Sequence, residues 1–373
     1  MRLRRARALQ VTWQQGRITF ENYLSRKVVS AEPLALPILN FFSDWQTVEA
    51  ILPQLPDYRP ASIRRALADL TRHTLLVREG SREAARDEHL ADTWEHWLPQ
   101  ASFHFATKDT VFAAPRAWDR IARQFLRETP QPAIFKTYPR ARQRALPPLP
   151  PGDDEFRRVL LGRRTHRDFS GAPVPLDKIG ALLQYTWGAM GDIDSPRFGR
   201  LLHKTSPSGG ARHPGEVYLV ANDVTGLPAG VYHFNVRDNT LEQVRRGNFR
   251  ARLLHDAVDQ EHVGTASALF VMTASFARSQ WKYRTPRAYR VVTLDQGHLG
   301  QTFCLVATWL GLAPFTTAAL RDSSLEQLLG IDGITESVMY LAGVGMPAPN
   351  ATAPGAAARR PPARRRPRRS PTT

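Results

Sequence analysis

A loop of small residues that runs directly into an apolar strand is the feature that most constrains this chain. Residues 206–220 read SPSGGARHPGEVYLV, with two prolines and two adjacent glycines before the apolar run. Glycine and alanine carry little or no side chain, so Gly209, Gly210 and Ala211 let a flat polar ring lie against the backbone. A tight turn that binds nothing explains the same residues, so the loop alone does not establish a ligand.

A basic run predicts a phosphate site in the second half of the chain. Arg163, Arg164, Thr165 and Arg167 bring three guanidinium groups and one hydroxyl within one or two turns. Arginine binds phosphate through paired, charge-assisted hydrogen bonds, so these residues could hold such a group. A solvated basic face is the alternative, and the run alone does not exclude it.

The small-residue loop and the basic run, taken together with two later segments, resemble a known family. The later segments are RSQWKYR at residues 278–284 and PFTTAALR at residues 314–321. In this order, the four resemble the flavin-dependent nitroreductase superfamily. The loop form resembles its SagB/McbC-type azoline dehydrogenases of ribosomal peptide maturation. The resemblance covers residues 153–347 and implies an α+β fold, with a nitroreductase-like FMN-binding domain preceded by a small winged-helix-like domain.

The resemblance implies how FMN would be held. Arg163 and Thr165 should bind its phosphate, while Arg164 and Arg167 should flank the ribityl chain and the pyrimidine edge. The loop residues that should lie against the ring are Pro207, Ser208, Gly209, Gly210 and Ala211.

Two alanines depart from the family pattern. Ala318 and Ala319 stand where relatives place a Gly-Gly pair over the flavin N5. They are small enough for that position, but a left-handed backbone there would cost alanine energy.

Lys282 and Tyr283 match the proposed catalytic pair of the SagB/McbC-type enzymes. Converting an azoline to an azole removes a hydride and a proton from adjacent carbons. FMN takes the hydride, so a base must take the proton, and a lysine beside a tyrosine can do so. Adjacent side chains of a strand point in opposite directions, so the pair requires an irregular loop. Without the resemblance, such a pair is typical of a protein surface.

The first 80 residues are predicted to form a separate domain. Helices are expected at residues 33–42, after Ser43 or Asp44, and from Pro60, with a closing strand at residues 75–77. Three helices and a strand are typical of a winged helix. The region also resembles PqqD-like clamps, which bind a leader peptide as an added strand. A structural arm and a DNA-binding domain are the alternatives, and we rank DNA binding last.

The remaining boundaries follow from composition. Residues 81–152 form a connecting segment that starts with a charged stretch expected to be solvated and ends in a proline-rich linker. Its aromatic cluster is predicted to pack between the two halves, and its members are Trp94, His96, Trp97, Phe103, His104 and Phe105. Residues 192–202 are predicted to form a loop, and residues 348–373 a disordered tail rich in Arg, Pro and Ala.

Charge and cysteine content narrow the function classes. The net charge of +17 suits nucleic acid, an anionic cofactor or an acidic peptide, and does not choose among them. The single cysteine, Cys304, allows no internal disulfide. No apolar run approaches the roughly 20 residues of a membrane span, and no signal core follows the basic start. We therefore expect a cytoplasmic protein without a membrane partner, and we predict no metal site.

The prediction is an FMN-dependent homodimer that oxidises azoline rings, or a related bond, in a ribosomally made precursor peptide. The resemblance implies FMN at the dimer interface and molecular oxygen as oxidant, and a cyclodehydratase could be a partner. A general NAD(P)H-dependent nitroreductase or flavin reductase is one alternative, although no Gly-x-Gly-x-x-Gly pattern follows a strand. A non-enzymatic protein that binds peptide or nucleic acid is the other.

Overall fold

The N-terminal region forms two small sheets around a core of its own. The computed structural model describes residues 1–114, 117–129, 131–136, 138, 140–148 and 152–349. The first sheet has the order β5-β1-β6 and the second the order β2-β3-β4. The strands are β1 (Arg2–Arg5), β2 (Leu9–Gln14), β3 (Arg17–Asn22), β4 (Lys27–Ser30), β5 (Gln46–Thr47) and β6 (Leu76–Arg78). The helices are α1 (Ala35–Phe41) and α2 (Pro60–Arg72).

One of the three helices predicted here is wrong. The segment after Ser43 forms β5 and then a 3-10 turn over Val48–Gln54, which contains Pro53. Proline lacks a backbone N–H and clashes with the preceding turn, so an α-helix is disfavoured at this point. The helix from Pro60 is confirmed, because the fixed φ of proline suits a first helical position.

A charged helix joins this region to the rest of the chain. The connecting segment forms α3 (Arg82–Thr93), α4 (Leu98–Thr107) and α5 (Trp118–Glu128). The prediction that its start is solvated is wrong for Asp87, which is 2% exposed. Asp87 accepts hydrogen bonds from Arg4 Nη2 at 2.9 Å and from the backbone N–H groups of Arg7 and Ala8. These hydrogen bonds offset the free-energy cost of burying the carboxylate of Asp87.

Four of the six aromatic residues of the predicted cluster are buried between the two halves, which confirms the prediction for them, whereas Phe103 is 60% exposed. Trp94 and Trp97 are fully buried, and their indole N–H groups donate to the backbone oxygens of Ile334 and Tyr283 at 3.0 and 2.9 Å. His104 lies 3.0 Å from Tyr289 Oη. Burial lowers the pKa of His104 to about 3, so the imidazole is neutral at physiological pH.

A buried ion pair adds to this contact. Lys108 Nζ lies 2.6 Å from Glu326 Oε2, and both side chains are 7% exposed. Ser337 Oγ also donates to Glu326 Oε1. Removing one partner of such a pair leaves a buried charge and typically costs about 3–5 kcal/mol. The pair therefore ties the connecting segment to the C-terminal region.

The C-terminal region is organised around one antiparallel sheet with the order β13-β12-β10-β14-β16-β15. Its strands are β10 (Gly215–Ala221), β12 (Gly230–Asn235), β13 (Thr240–Arg246), β14 (Ala268–Ser275), β15 (Ala313–Thr317) and β16 (Glu336–Gly345). Short strands accompany it: β7 (Val174–Pro175), β8 (Gly191–Ser195), β9 (Gly199–His203) and β11 (Val224–Thr225). The helices are α6 (Glu155–Gly162), α7 (Leu176–Trp187), α8 (Arg250–Asp256), α9 (Glu261–Thr265), α10 (Phe276–Gln280), α11 (Tyr289–Trp309) and α12 (Asp322–Leu329).

Helices cover both faces of this sheet. Trp187 of α7 and Phe303 of α11 pack on one face, where both contact Phe270 of β14. Leu253 of α8 and Leu325 of α12 pack on the other face. A strand covered on both faces should read as a continuous apolar run, and β14 does. The α+β prediction is confirmed, and α11 is fixed against the sheet along its length.

The predicted loop at residues 192–202 is a hairpin, and parts of the predicted linker and tail lie outside the described residues. Residues 192–202 are not a loop, because β8 and β9 pair as an antiparallel hairpin. Residues 149–151 of the predicted proline linker and residues 350–373 of the predicted tail lie outside the described residues. Within the described ranges, no helix combines the length and the hydropathy that crossing a bilayer requires.

Candidate active site

The small-residue loop adopts a conformation that only small or strained residues accept. Gly209–Ala211 forms one 3-10 turn, and Gly210 lies in the left-handed region with φ 62° and ψ 27°. Ala211 and His213 also have positive φ, at 54° and 45°. Non-glycine residues there are uncommon and store strain that the surrounding structure must hold.

A buried carboxylate on α11 holds the loop in place. Ser208 Oγ donates to Asp295 Oδ2 at 2.6 Å, and the Gly209 N–H donates to Oδ1 at 3.3 Å. The His213 N–H donates in turn to Ser208 Oγ at 2.9 Å. Burial raises the pKa of Asp295, while the hydrogen bonds from Ser208 and Gly209 oppose that effect. The loop is therefore fixed to the helix by side-chain and backbone donors together.

Lys282 and Tyr283 meet this loop. They follow α10 in an irregular segment, in which both backbone N–H groups donate to Ser279 O. A Cβ built on Gly210 would lie 2.5 Å from Lys282 Nζ and closer still to Tyr283 Oη. Both side chains therefore end over Gly210, in keeping with the irregular backbone that the pair requires.

An aromatic wall borders the lysine. Lys282 Nζ lies 4.3 Å from the centroid of the Phe198 ring, which stands in the turn between β8 and β9. Phe198 contacts Trp281 edge to face at 6.1 Å, and the Arg212 guanidinium lies over Trp281 at 5.3 Å. Such contacts stabilise a cation by about 0.5–1 kcal/mol at exposed sites and more where water is excluded.

Phe198 is a site residue that the sequence reasoning missed. The sequence signal here is limited to Pro196 and Gly199, two turn-forming residues on either side of the Arg-Phe pair. Gly199 has φ 69°, which is the left-handed position expected at the end of a three-residue hairpin loop.

The basic run lies on a different part of the fold. It follows α6 as extended chain, and the His166 N–H donates to Pro314 O at 2.9 Å. Arg164 Nη1 folds back onto the backbone oxygens of Leu161 and Arg163, both at 2.8 Å. Thr165 is exposed. None of the ion pairs in the described chain includes Arg163, Arg164 or Arg167, so their charges are available to an anion.

Arg167 and Ala319 line one cavity of about 510 Å³, together with His262. Burial lowers the pKa of His262, and the charge of Arg167 lowers it further. The Ala319 N–H donates to Thr317 Oγ1 at 3.3 Å. Neither Ala318 nor Ala319 is in the left-handed region, so the replacement of Gly-Gly costs no backbone strain here.

The predicted residues thus fall into two groups. The loop group comprises Gly209, Gly210, Ala211, Lys282 and Tyr283, with Pro207 and Ser208 holding the loop on α11. The arginine group comprises Arg163, Arg164, Thr165, Arg167 and Ala319, with Ala318 adjoining.

Helix α11 links the two groups. Asp295 holds the loop, and Arg163 is near enough to Cys304 to oppose the rise in thiol pKa that burial causes, to about 11. Nine residues separate Asp295 from Cys304. At 1.5 Å per residue this is about 14 Å along the helix. The two groups are therefore supported by the same helix at two separate positions, and the described contacts do not join them directly.

A charged cavity of about 1150 Å³ adjoins the loop group, and Ala211 and Trp281 both line it. His233 lies between two carboxylates in this cavity, 3.1 Å from Glu216 Oε2 and 2.9 Å from Glu242 Oε2. The hydrogen bond with Glu216, followed by that with Glu242, raises the pKa of His233 to about 9. His233 is therefore charged at neutral pH.

A family model described as "Nitroreductase family" matches residues 160–346, half of the chain. The chain belongs to the nitroreductase family. The match includes the arginine group, the loop group and the sheet that supports them, and it places the chain among oxidoreductases.

Two curated relatives of this nitroreductase-family chain are processing proteins, one for trifolitoxin and one for microcin B17. The trifolitoxin-processing protein TfxB of Rhizobium leguminosarum bv. trifolii is 36% identical over 176 residues, which are 45% of this chain and 47% of TfxB. The microcin B17-processing protein McbC of Escherichia coli is 32% identical over 132 residues, 34% of this chain and 48% of McbC. The chain spans about half the length of these relatives.

A solved structure from E. coli is among those to which the chain is similar. It is that of the E. coli microcin synthetase McbBCD complex with truncated pro-MccB17 bound, in which one chain is 22% identical. The match has a TM-score of 0.47 and covers 67% of this chain and 92% of that one.

We predict that Gly210→Ala moves Lys282 away from the loop. The left-handed backbone costs alanine about 1 kcal/mol, and the new Cβ occupies the space of Lys282 Nζ and Tyr283 Oη. Because these are the ends of flexible side chains, the fold should survive while the ammonium becomes more exposed. The acylation rate of Lys282, measured by mass spectrometry after a short reagent pulse, should rise.

Gly330→Ala is the matched control for this prediction. Gly330 follows α12 with φ 80° and has open space around a built Cβ. Gly330→Ala therefore carries the cost of a left-handed alanine but places no atom against another side chain. The acylation rate of Lys282 should stay at the wild-type value. Equal rates in all three proteins would contradict the contact between Gly210 and Lys282.

The charge of His233 predicts a pH effect on stability. Its pKa in the folded chain is raised to about 9 from about 6.5 in an unfolded one, so its stabilisation is complete below about pH 6.5 and is lost as pH rises through about 9. Burial lowers the pKa of Lys204 to about 8, so the contribution of Lys204 to stability rises with pH above that value, opposite to that of His233. The comparison with His233→Gln isolates the histidine.

Thermal unfolding midpoints at about pH 6.5 and 9.5 test this effect. The wild-type midpoint should fall further between the two pH values than that of the variant. Parallel falls would show that the two carboxylates do not stabilise a charged His233.

Proposed function

We propose that this chain is an FMN-dependent oxidoreductase that dehydrogenates azoline rings, or a related bond, in a ribosomally synthesised peptide. The observation that carries the proposal is the meeting of Lys282 and Tyr283 over Gly210 in a strained small-residue loop. The relationship to two peptide-processing proteins supports the substrate class. Because the match covers about half of those proteins, substrate and activity are proposals for this chain.

The chemistry of the arginine group suits the cofactor. Arg163 and Arg167 present guanidinium groups without a carboxylate partner in the described chain, and Thr165 presents an exposed hydroxyl. These donors would hold the phosphate of FMN, while the backbone of residues 207–211 would lie against the flat ring. When bound, FMN supplies the hydride acceptor for the reaction.

Lys282 is the proposed base. Oxidation of an azoline breaks two C–H bonds on adjacent carbons, and one of them releases a proton. Lys282 Nζ takes that proton, and the neighbouring Tyr283 Oη can share it. The face of the Phe198 ring, 4.3 Å from Nζ, stabilises the ammonium that forms.

A homodimer would join the two groups around a shared cofactor. Apolar side chains on α6, α7 and α11 are exposed, among them Phe156, Tyr185, Leu294 and Trp309. A face of this kind on helices beside the site is typical of a protein interface. We propose that a second copy covers it, so that the arginine group of one copy and the loop group of the other would hold FMN together.

The N-terminal region is the proposed peptide clamp. A groove of about 540 Å³ lies beside β2, an edge strand, and is lined by Leu9 and Val11 of β2 and by Leu36 of α1. Arg5 and Arg7 stand at its rim. An edge strand offers free backbone groups to an added strand, and apolar side chains of the peptide would enter the groove at alternate positions. We propose a leader segment with acidic residues near the basic rim.

We predict that Lys282→Ala retains the cofactor and loses turnover. Removal of a positioned base slows proton transfer by about 100-fold or more. A synthetic peptide with one thiazoline is the probe, and mass spectrometry follows the loss of two hydrogens. The visible absorption of bound flavin is recorded in the same samples.

Lys136→Ala, an exposed lysine outside the site, is the control and should oxidise the peptide as the wild type does. Wild-type rates in Lys282→Ala would rule out the lysine as base, and loss of flavin absorption would show that Lys282 is structural. NADPH consumption with a nitroaromatic, without peptide oxidation, would favour a general nitroreductase instead.

We predict that Leu36→Glu weakens leader binding by about tenfold or more, because it places a charge in the apolar groove. Leu36 is 38% exposed, so the fold should tolerate the change. Peptides are selected from a display library by their binding to the full wild-type chain. They are then titrated against the wild type, Leu36→Glu and a control variant.

Val28→Glu on β4 is the matched control, since Val28 is 55% exposed and lies outside the groove lining. It should bind the selected peptides with wild-type affinity. Equal affinities in both variants would remove the clamp.

A further inference from the structure

The charged cavity beside the loop group contains more positive charge than its own acids neutralise. Glu216 accepts from Arg278 through one oxygen and faces His233 with the other. Glu242 faces His233 and also accepts from Asn235 Nδ2 at 2.8 Å. Asp192, which also lines the cavity, is paired with Arg200. Each of these carboxylates is therefore already engaged.

Three cations in the same lining have no such partner. No ion pair in the described chain includes Lys204, Arg212 or Arg237. Arg212 donates only to Gly210 O, at 3.2 Å, and lies over Trp281, while Arg237 is exposed. Lys204 lines the cavity, is half-buried and directly follows β9. Such an arrangement attracts an anion, because low-dielectric walls focus the field of unpaired charges.

The environment of Lys204 agrees with this reading. Burial lowers its pKa to about 8, the charge of Glu216 opposes that effect, and the charge of Arg278 adds to it. An ammonium that has lost water without gaining a carboxylate is destabilised, and a bound carboxylate would relieve that cost. His213, on the neighbouring loop, stays neutral because burial lowers its pKa to about 4.

The cavity opens beside the proposed catalytic pair. Ala211, Arg212 and Trp281 line it, and they adjoin Gly210 and Lys282 in the chain. A group bound here would therefore belong to the part of a substrate that flanks the reacting ring.

We propose that this cavity binds a carboxylate of the peptide substrate, next to the ring that is oxidised, with Lys204 as its main partner and Arg237 at the rim. The proposal rests on the proposed function for the substrate class, since the anions of a peptide are carboxylates. The carboxylate comes either from an acidic side chain beside the ring or from the C-terminus of the peptide. Arg237 assists as an exposed cation at the entrance.

Calorimetric titration of the full chain with three thiazoline peptides tests the site. The first has asparagine beside the ring and an amidated C-terminus, the second replaces asparagine with aspartate, and the third has a free C-terminus. One of the two anionic peptides should bind about tenfold more tightly than the neutral one, the gain expected of a charge-assisted hydrogen bond. Tighter binding of the second identifies a side chain, and tighter binding of the third identifies the C-terminus.

Lys204→Met should abolish this preference and leave the affinity for the neutral peptide unchanged. Lys136→Met, which removes an equal charge outside the cavity, should keep the preference. If Lys204→Met does not fold, Arg237→Gln at the exposed rim should reduce the preference. Equal affinities for the three peptides, or an undiminished preference in Lys204→Met, would overturn the proposal. Tighter binding of inorganic phosphate than of any peptide, lost in Lys204→Met, would also overturn it.

Turnover in the same samples separates this site from the proposed function. Oxidation of all three peptides at equal rates and affinities would keep the dehydrogenase and remove the carboxylate site. Binding that depends on Lys204 without any oxidation would keep the site and remove the dehydrogenase.

Discussion

The hydrogen bonds from Ser208 and Gly209 to Asp295 set the geometry on which the candidate site depends. They fix a strained loop to a helix that is itself packed on the central sheet. Strained backbone persists only where its surroundings over-determine it, and a buried carboxylate with two donors from the loop does this. Since Lys282 and Tyr283 end over the same loop, the position of the proposed base follows from that anchor.

The connecting segment also contacts the backbone beside the proposed base. Trp97 donates to the backbone oxygen of Tyr283, and the neighbouring His104 and Tyr289 continue the contact into α11. The N-terminal half is thus joined to the proposed catalytic pair by buried aromatic packing and directed hydrogen bonds. Rotation of one half against the other would break the hydrogen bond to Tyr283, so the peptide-binding and oxidising parts that we propose meet at the same packed residues.

The sequence predicted elements with strong local patterns. The apolar run of β14, the long helix α11 and the Pro60 start of α2 were all predictable, because each is specified by neighbouring residues. The hairpin at residues 191–203 was not, since both of its strands are mostly exposed and lack an apolar alternation.

The candidate site was only partly predictable, for a related reason. Family resemblance indicated the loop, the arginines and the lysine, each within a short motif. The partners Asp295 and Phe198 are close to these motifs only after the sheet and α11 assemble. Contacts between residues far apart in sequence have no local pattern, and the charge balance of the cavity, with Lys204 left unpaired, is of this kind.

The reactivity of the single cysteine depends on whether α11 stays packed on the sheet. Cys304 is buried in the middle of α11, and its thiol stays protonated because burial raises its pKa to about 11. Thiol reagents attack the thiolate, so a folded chain should be nearly inert toward them. Alkylation of this one sulfur therefore measures how often α11 detaches from the sheet, and with it how often the support shared by both residue groups comes apart.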